Sequence, residues 1–210
     1  MRVGLPVPPD GYFRPLKLMC VPAGTSWLRI QRCVHASALF WGHQEAGRWN
    51  YSDGRFGVLY ASESVEAAFA ETFGRELMAT MAPDAVKFLS RQELRERCVL
   101  RLWTDRNLQM VDFGGPALQA LNLDARLLHT CDELEVCQRW SAWLHDAPEQ
   151  PDGLLYPSRL FPSSSNAAVF DRCRSAWQED HLDNLLSYPD SSGDPAVFQI
   201  LEDQGWGLVG

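Results

Sequence analysis

The chain has 210 residues, 46% of them hydrophobic, and a formal net charge of −8. That length suits one sizeable core and is short for two. The charge argues against a protein that grips nucleic acid non-specifically, which needs clustered Lys and Arg. No apolar run approaches the roughly 20 residues of a membrane helix.

Residues 1–26 are rich in Pro and Gly and read as an irregular N-terminal arm. Met1 to Asp10 holds three prolines and no apolar signal core, so the expected location is the cytoplasm. Cys20, Cys33, Cys98, Cys131, Cys137 and Cys173 form no Cys-x-x-Cys pair. No His spacing completes a zinc site, so no metal is expected. All six read as reduced thiols, mostly buried, and none is a candidate nucleophile.

Trp27 to Arg32 reads as the first strand, carrying Arg29, with Arg32 as its rival for a ligand-directed charge. Gly47-Arg48-Trp49-Asn50 follows in a loop. The planar donor fork of Arg48 suits a phosphate or carboxylate, and Trp49 would either stack a base or pin the loop to the core. Phe56 to Ser62 is apolar with little alternation, as in a strand buried on both faces. Ser64 is a good N-cap for a helix from about Val65 to about Met78. Val65, Phe69, Phe73 and Leu77 form its bulky face, and Ala67, Ala70 and Gly74 a face of small residues. Glu71 lies beside the small face, which leaves room for a ligand.

Pro83 ends this helix or opens the next turn. Ser90-Arg91-Gln92-Glu93 fits a capping box for a short, solvated helix. Cys98 to Trp103 and Leu108 to Phe113 read as two strands joined by the polar Thr104–Asn107 turn. Gly114-Gly115-Pro116 starts a brief helix and lacks the residues that would complete a phosphate loop. A second capping box at Thr130 to Glu133 opens a helix that runs to His145, with Trp140 and Trp143 as core residues. His129 and His145 bracket it without an assigned role. Leu154-Leu155-Tyr156 is a short strand that ends at Pro157-Ser158-Arg159. Ala167 to Phe170 is another, followed by a partly helical tail and a terminal strand within Glu202 to Val209. The pattern predicts a single α+β domain.

Taken singly, each candidate has a bland reading. Glu71 would be a solvated helix carboxylate, Arg29 a surface strand residue with a snorkelling stem, and Ser158 a turn serine beside Pro. Their order carries more. Trp27-Leu28-Arg29-Ile30, Gly47-Arg48-Trp49-Asn50, Phe56-Gly57-Val58-Leu59-Tyr60, Ala67 to Phe73 around Glu71, and Asp152-Gly153-Leu154-Leu155-Tyr156-Pro157-Ser158-Arg159 together resemble the RES domain family. The resemblance covers about Trp27 to Gly207, and Trp49 stands where many relatives have Phe.

The resemblance implies a catalytic domain over 27–210 with an ADP-ribosyltransferase-like fold, an α+β unit with mixed, mostly antiparallel sheets and flanking helices. It also implies a toxin of a toxin–antitoxin pair that cleaves NAD at the nicotinamide–ribose bond by hydrolysis or phosphorolysis. NAD is then a substrate and no cofactor is expected. The implied partner is an antitoxin with a DNA-binding domain. By the same resemblance Glu71 is the catalytic carboxylate, Arg48 and Arg29 hold the diphosphate, Tyr60 packs on the nicotinamide or its ribose, and Ser158 orients the carboxamide. Two alternatives stay open: protein ADP-ribosyl transfer from the same pocket, and a silent module that binds a nucleotide or a partner. The oligomeric state is open.

Overall fold

The apolar run after Gly57 becomes a strand covered on both sides, and the rest of the architecture follows from what covers it. The computed structural model describes residues 4–11, 15–43, 47–74, 82, 84–129 and 134–210. Its strands are β1 (Met19–Val21), β2 (Trp27–Arg32), β3 (Val58–Ser62), β4 (Lys87–Ser90), β5 (Arg97–Thr104), β6 (Leu108–Asp112), β7 (Gly153–Pro157), β8 (Ser165–Phe170), β9 (Trp177–Asn184) and β10 (Trp206–Val209). The helices are α1 (Val65–Phe69), α2 (Arg91–Arg95), α3 (Ala117–Ala120), α4 (Arg126–His129), α5 (Leu134–His145) and α6 (Ala196–Asp203).

Eight strands form one sheet in the order β1-β6-β7-β8-β3-β2-β5-β9. Only β6 and β7 pair in parallel; the other neighbours are antiparallel. β4 and β10 form a separate parallel pair. The fold is therefore the expected α+β unit with mixed, mostly antiparallel sheets.

One face of the large sheet closes over a single core that takes Trp27 from β2, Leu59 from β3, Leu100 and Leu102 from β5, Met110 from β6, and Val169 from β8. The opposite face carries two separate groups. Trp49, Phe56 and Phe113 pack there with α4 and α5 residues such as Leu127, Trp140 and Leu144. Val65, Phe69 and Phe73 pack with α6 and Trp206 beside Ile30 and Val99. The seam between these two groups positions the site.

Several expectations change. The helix after Ser64 is α-helical only to Phe69 and continues as a π-helical turn, Ala70–Gly74; its expected end near Met78, Leu77 and the Pro83 break lie outside the described residues. Ser64 does cap it, accepting a hydrogen bond from the Ala67 N–H at 3.2 Å. Ser90 likewise caps α2 through the Glu93 N–H at 3.0 Å. The Thr130–Glu133 box lies outside the described residues.

The two strands expected on either side of the Thr104–Asn107 turn do form, as β5 and β6, and lie in opposite halves of the sheet. Gly114 and Gly115 wrap around the Asp112 side chain, which accepts from the Gly114 N–H at 2.8 Å. The N-terminal arm is not wholly irregular, since Met19–Val21 pairs with β6. Trp140 Nε1 and Trp143 Nε1 donate to the carbonyls of Pro6 and Gly11, at 2.8 and 3.2 Å.

The reading of six reduced cysteines is also corrected. Cys33 and Cys98 form a disulfide with Cα atoms 5.0 Å apart. Cys33 directly follows β2, whose Arg32 faces Arg97 of β5, so strand pairing brings together two residues far apart in sequence. Cys137 and Cys173 are buried free thiols, and Cys20 is exposed.

Candidate active site

Register builds the floor of the site. Tyr156 of β7 faces Asn166 of β8, Asn166 faces Ser62 of β3, and Ser62 faces Leu28 of β2. Residues directly opposite one another share a sheet face, so these four side chains form a row. Tyr60 and Ile30 follow two residues along on the same face, because strand side chains alternate with a period of two. Above the row lies a cavity of about 440 Å³ whose lining includes Tyr60, Ser62, Glu71, Tyr156 and Asn166. Ligand pockets commonly span about 300–1,000 Å³.

Glu71 enters from the π-helical turn. Such turns inside α-helices are rare and concentrate at functional sites. Thr72 Oγ1 closes this one by donating to the Ala68 carbonyl at 2.7 Å, and Ala68, Glu71 and Thr72 form the helix face that lines the cavity. The small-residue face does not: Ala67 and Ala70 are buried, and a Cβ on Gly74 would come within 2.8 Å of Leu160 Cδ1. Small residues serve close packing here, and the room for a ligand lies one face around.

The carboxylate is held from behind. Ser158 Oγ donates to Glu71 Oε1 at 2.8 Å, and Asn166 Nδ2 donates to the same oxygen at 3.0 Å. Ser158 is fully buried; its hydroxyl also accepts from the Phe161 N–H at 3.1 Å. It is absent from the cavity lining. Ser158, expected to contact a substrate carboxamide, is thus seen in contact with Glu71 and outside the cavity lining.

Three arginines border the cavity: Arg29, Arg48 and Arg159. Arg48 donates to the Leu127 carbonyl at 3.1 Å, which ties its loop to α4. Arg29 donates to the Ala38 carbonyl at 3.1 Å. Burial pulls its pKa below the ordinary arginine value, against the opposing charge of Glu179. Arg32 is paired on the surface with Glu96 at 2.9 Å and Glu93 at 3.5 Å. Arg29 borders the cavity from β2, but it pairs with Leu100, so its side chain leaves the sheet on the face opposite Leu28 and Ile30, toward Ala38. Tyr60 lines it with its ring, while its hydroxyl donates to Asn50 Oδ1 at 2.7 Å and accepts from the Trp49 N–H at 3.0 Å. Trp49 is buried against Phe113 and Tyr156; of its two readings, it pins the loop. Burial, with Tyr60 and Glu71 beside it, raises the Tyr156 pKa well above the usual phenol value.

Sequence reasoning missed Asn166, Tyr156 and Arg159 as site residues. Tyr156 and Arg159 flank the noted Pro157-Ser158 step, and strand alternation would have placed Tyr156. Asn166 closes a polar run, Ser163-Ser164-Ser165-Asn166, and only the β8 pairing distinguishes it from loop polarity.

A model of the RES domain matches residues 26–190. The chain belongs to the RES domain family. Among relatives, a Sinorhizobium fredii protein named "Probable toxin y4kH" is 39% identical over 71 residues, 33% of this chain and 50% of that protein. The match thus spans half of the relative's length. Among solved structures, a chain of the M. tuberculosis MbcT–MbcA toxin–antitoxin complex superposes with a TM-score of 0.54 at 16% identity, covering 88% of this chain and 92% of that one. The RES domain fold is thus shared well beyond recognisable sequence. Within this RES domain, the Glu71 and Ser158 side chains are in direct contact, and Arg29 and Glu71 are both among the cavity-lining residues. Among the described residues no helix is long and apolar enough to cross a membrane.

Proposed function

We propose that this RES domain cleaves NAD at the nicotinamide–ribose bond, as the toxin of a toxin–antitoxin pair. The observation that carries the reading is the Glu71 carboxylate, pinned through Oε1 by Ser158 and Asn166 on the lining of a cavity that arginines and tyrosines also border. Breaking the bond sends its electron pair to the nicotinamide nitrogen and leaves positive charge on the ribose C1′ and ring oxygen. A fixed carboxylate stabilises that charge as it develops. Both pinning hydrogen bonds fall on Oε1, so Oε2 is available to the ribose or to an incoming nucleophile. An oxygen of water or phosphate then bonds to C1′, and with water Glu71 accepts the proton. Arg48 and Arg159 would meet the diphosphate, and the rings of Tyr60 and Tyr156 would pack on the nicotinamide side.

The names of the relatives support the biological half of the reading, a toxin with an antitoxin partner; in the proposal that antitoxin carries a DNA-binding domain and covers the cavity. Transfer of ADP-ribose to a protein is the second reading. A further cavity of about 790 Å³ shares the lining residues Arg29 and Ile30 with the first, and in this reading it would take the acceptor. Nicotinamide release from NAD by the purified chain, with and without inorganic phosphate, tests the proposal. Glu71→Gln keeps the shape and removes the charge. A loss of at least about 100-fold is expected, the scale of deleting one electrostatic stabiliser. Equal release by the variant would remove Glu71 from the mechanism, and mass gain on an added protein would favour transfer.

A further inference from the structure

Behind Glu71 the hydrogen-bond chain has one more member. Ser62 Oγ donates to Asn166 Oδ1 at 2.7 Å, both residues are buried, and Asn166 Nδ2 then donates to Glu71 Oε1 at 3.0 Å. The order of these bonds follows from what each group can do. An ionised carboxylate only accepts, so the amide must turn its NH₂ to Glu71, which leaves its carbonyl oxygen facing Ser62. Ser62 supplies the donor that this oxygen needs. Without it the buried Oδ1 has no partner from this pair, and nothing on that side holds the amide plane toward Glu71.

We infer that Ser62 is a positioning residue for Glu71, acting through the Asn166 side chain. This rests on the reading of Glu71 as the catalytic carboxylate. Glu71 has a second anchor in Ser158, so Ser62 governs one of two supports and its loss weakens catalysis without abolishing it. The cross-strand register makes the arrangement rigid: Ser62 and Asn166 are direct partners between β3 and β8, so backbone pairing sets the separation of their side chains. Networks of this kind are apportioned by double-mutant cycles.

The test combines kinetics with a readout that does not need turnover. Ser62→Ala should lower kcat for nicotinamide release about tenfold, the scale of one buried hydrogen bond left unmade, with KM little changed. Ser62→Thr keeps the hydroxyl on a strand that favours branched side chains and should restore kcat. In an Asn166→Ala background, Ser62→Ala should cost nothing further. In parallel, the side-chain amide ¹H–¹⁵N resonances of Asn166 should shift and exchange faster with solvent in Ser62→Ala, whether or not the protein cleaves NAD. Wild-type turnover with an additive cycle, or with unchanged Asn166 resonances in Ser62→Ala, overturns the inference. Absent wild-type turnover would instead count against the proposed activity, and the amide resonances would still decide whether Ser62 sets Asn166.

Discussion

Gly47 shows how little space the arginine loop leaves. A Cβ built there would lie 1.9 Å from Asn50 Oδ1 and 2.8 Å from the Tyr60 hydroxyl. Those two atoms are the hydrogen-bonded pair that fastens the loop to β3, so a glycine next to Arg48 is a requirement of close approach. Gly47→Ala is expected to push Asn50 off Tyr60, cost about 1–3 kcal/mol of stability as overpacking does, and weaken NAD cleavage by misplacing Arg48. Urea unfolding and nicotinamide release read the two effects; a variant with wild-type values in both would show that the loop relaxes freely. At this scale the sequence pointed to Arg48, Tyr60 and Glu71 as an ordered set of suitable residue types, and all three line the cavity. It pointed Ser158 toward a ligand, where the structure shows the buried hydroxyl donating to the Glu71 carboxylate at 2.8 Å. It was silent on Ser62 and Asn166, whose meaning lies in their pairing.

Elements were legible where local physics decides them. The continuous apolar run made β3, Ser64 and Ser90 made their caps, and the tryptophan spacing made the buried face of α5. Elements decided by tertiary position were not. β9 reads Trp177-Gln178-Glu179-Asp180-His181-Leu182-Asp183-Asn184 and forms an edge of the sheet, where charged side chains discourage pairing with another chain; such a strand hides as a polar tail. The π-helical turn has no pattern of its own. The end of α5 supports a prediction of its own. The His145 ring stacks on Phe56 with centroids 4.2 Å apart. Burial, aided by Arg172, lowers its pKa, against the opposing hydrogen bond to Asp146. Between the folded value and the unfolded value near 6.5, the unfolded chain binds more protons, so stability rises with pH there. Stability contributed by neutral His145 is thus lost as pH falls from about 6.5 through the lowered folded value. His145→Phe keeps the stacking and removes the proton. Unfolding free energies measured at several pH values should fall less steeply on acidification in the variant; identical slopes would mean that His145 is not the group responsible.

On the scale of the whole molecule, the two packing groups on one sheet face divide the site between them. The loop with Arg48 belongs to the group around Trp49 and α5, and the turn with Glu71 continues from α1 in the group around Phe69 and Trp206. The floor that joins them runs through β7, β8, β3 and β2. The Cys33–Cys98 bridge ties β2 to β5, on the far side of this row from Ser158 and Asn166, and it spans a sequence separation of 65, which is why spacing alone did not reveal it. A link over so long a loop restricts the unfolded chain strongly, by about 2–4 kcal/mol in typical cases. It touches none of the groups that hold Glu71. Replacing both cysteines with serine should therefore lower unfolding free energy by about that amount and leave nicotinamide release intact at temperatures where the variant stays folded. Reducing agent should reproduce the loss in the wild type and do nothing to the variant. If the double variant stays folded but loses cleavage, the placement of β2 depends on its staple to β5, and the floor is less rigid than its register suggests. If stability is unchanged with and without reductant, the bridge does not contribute to the folded chain, and β2 is held to β5 by pairing alone.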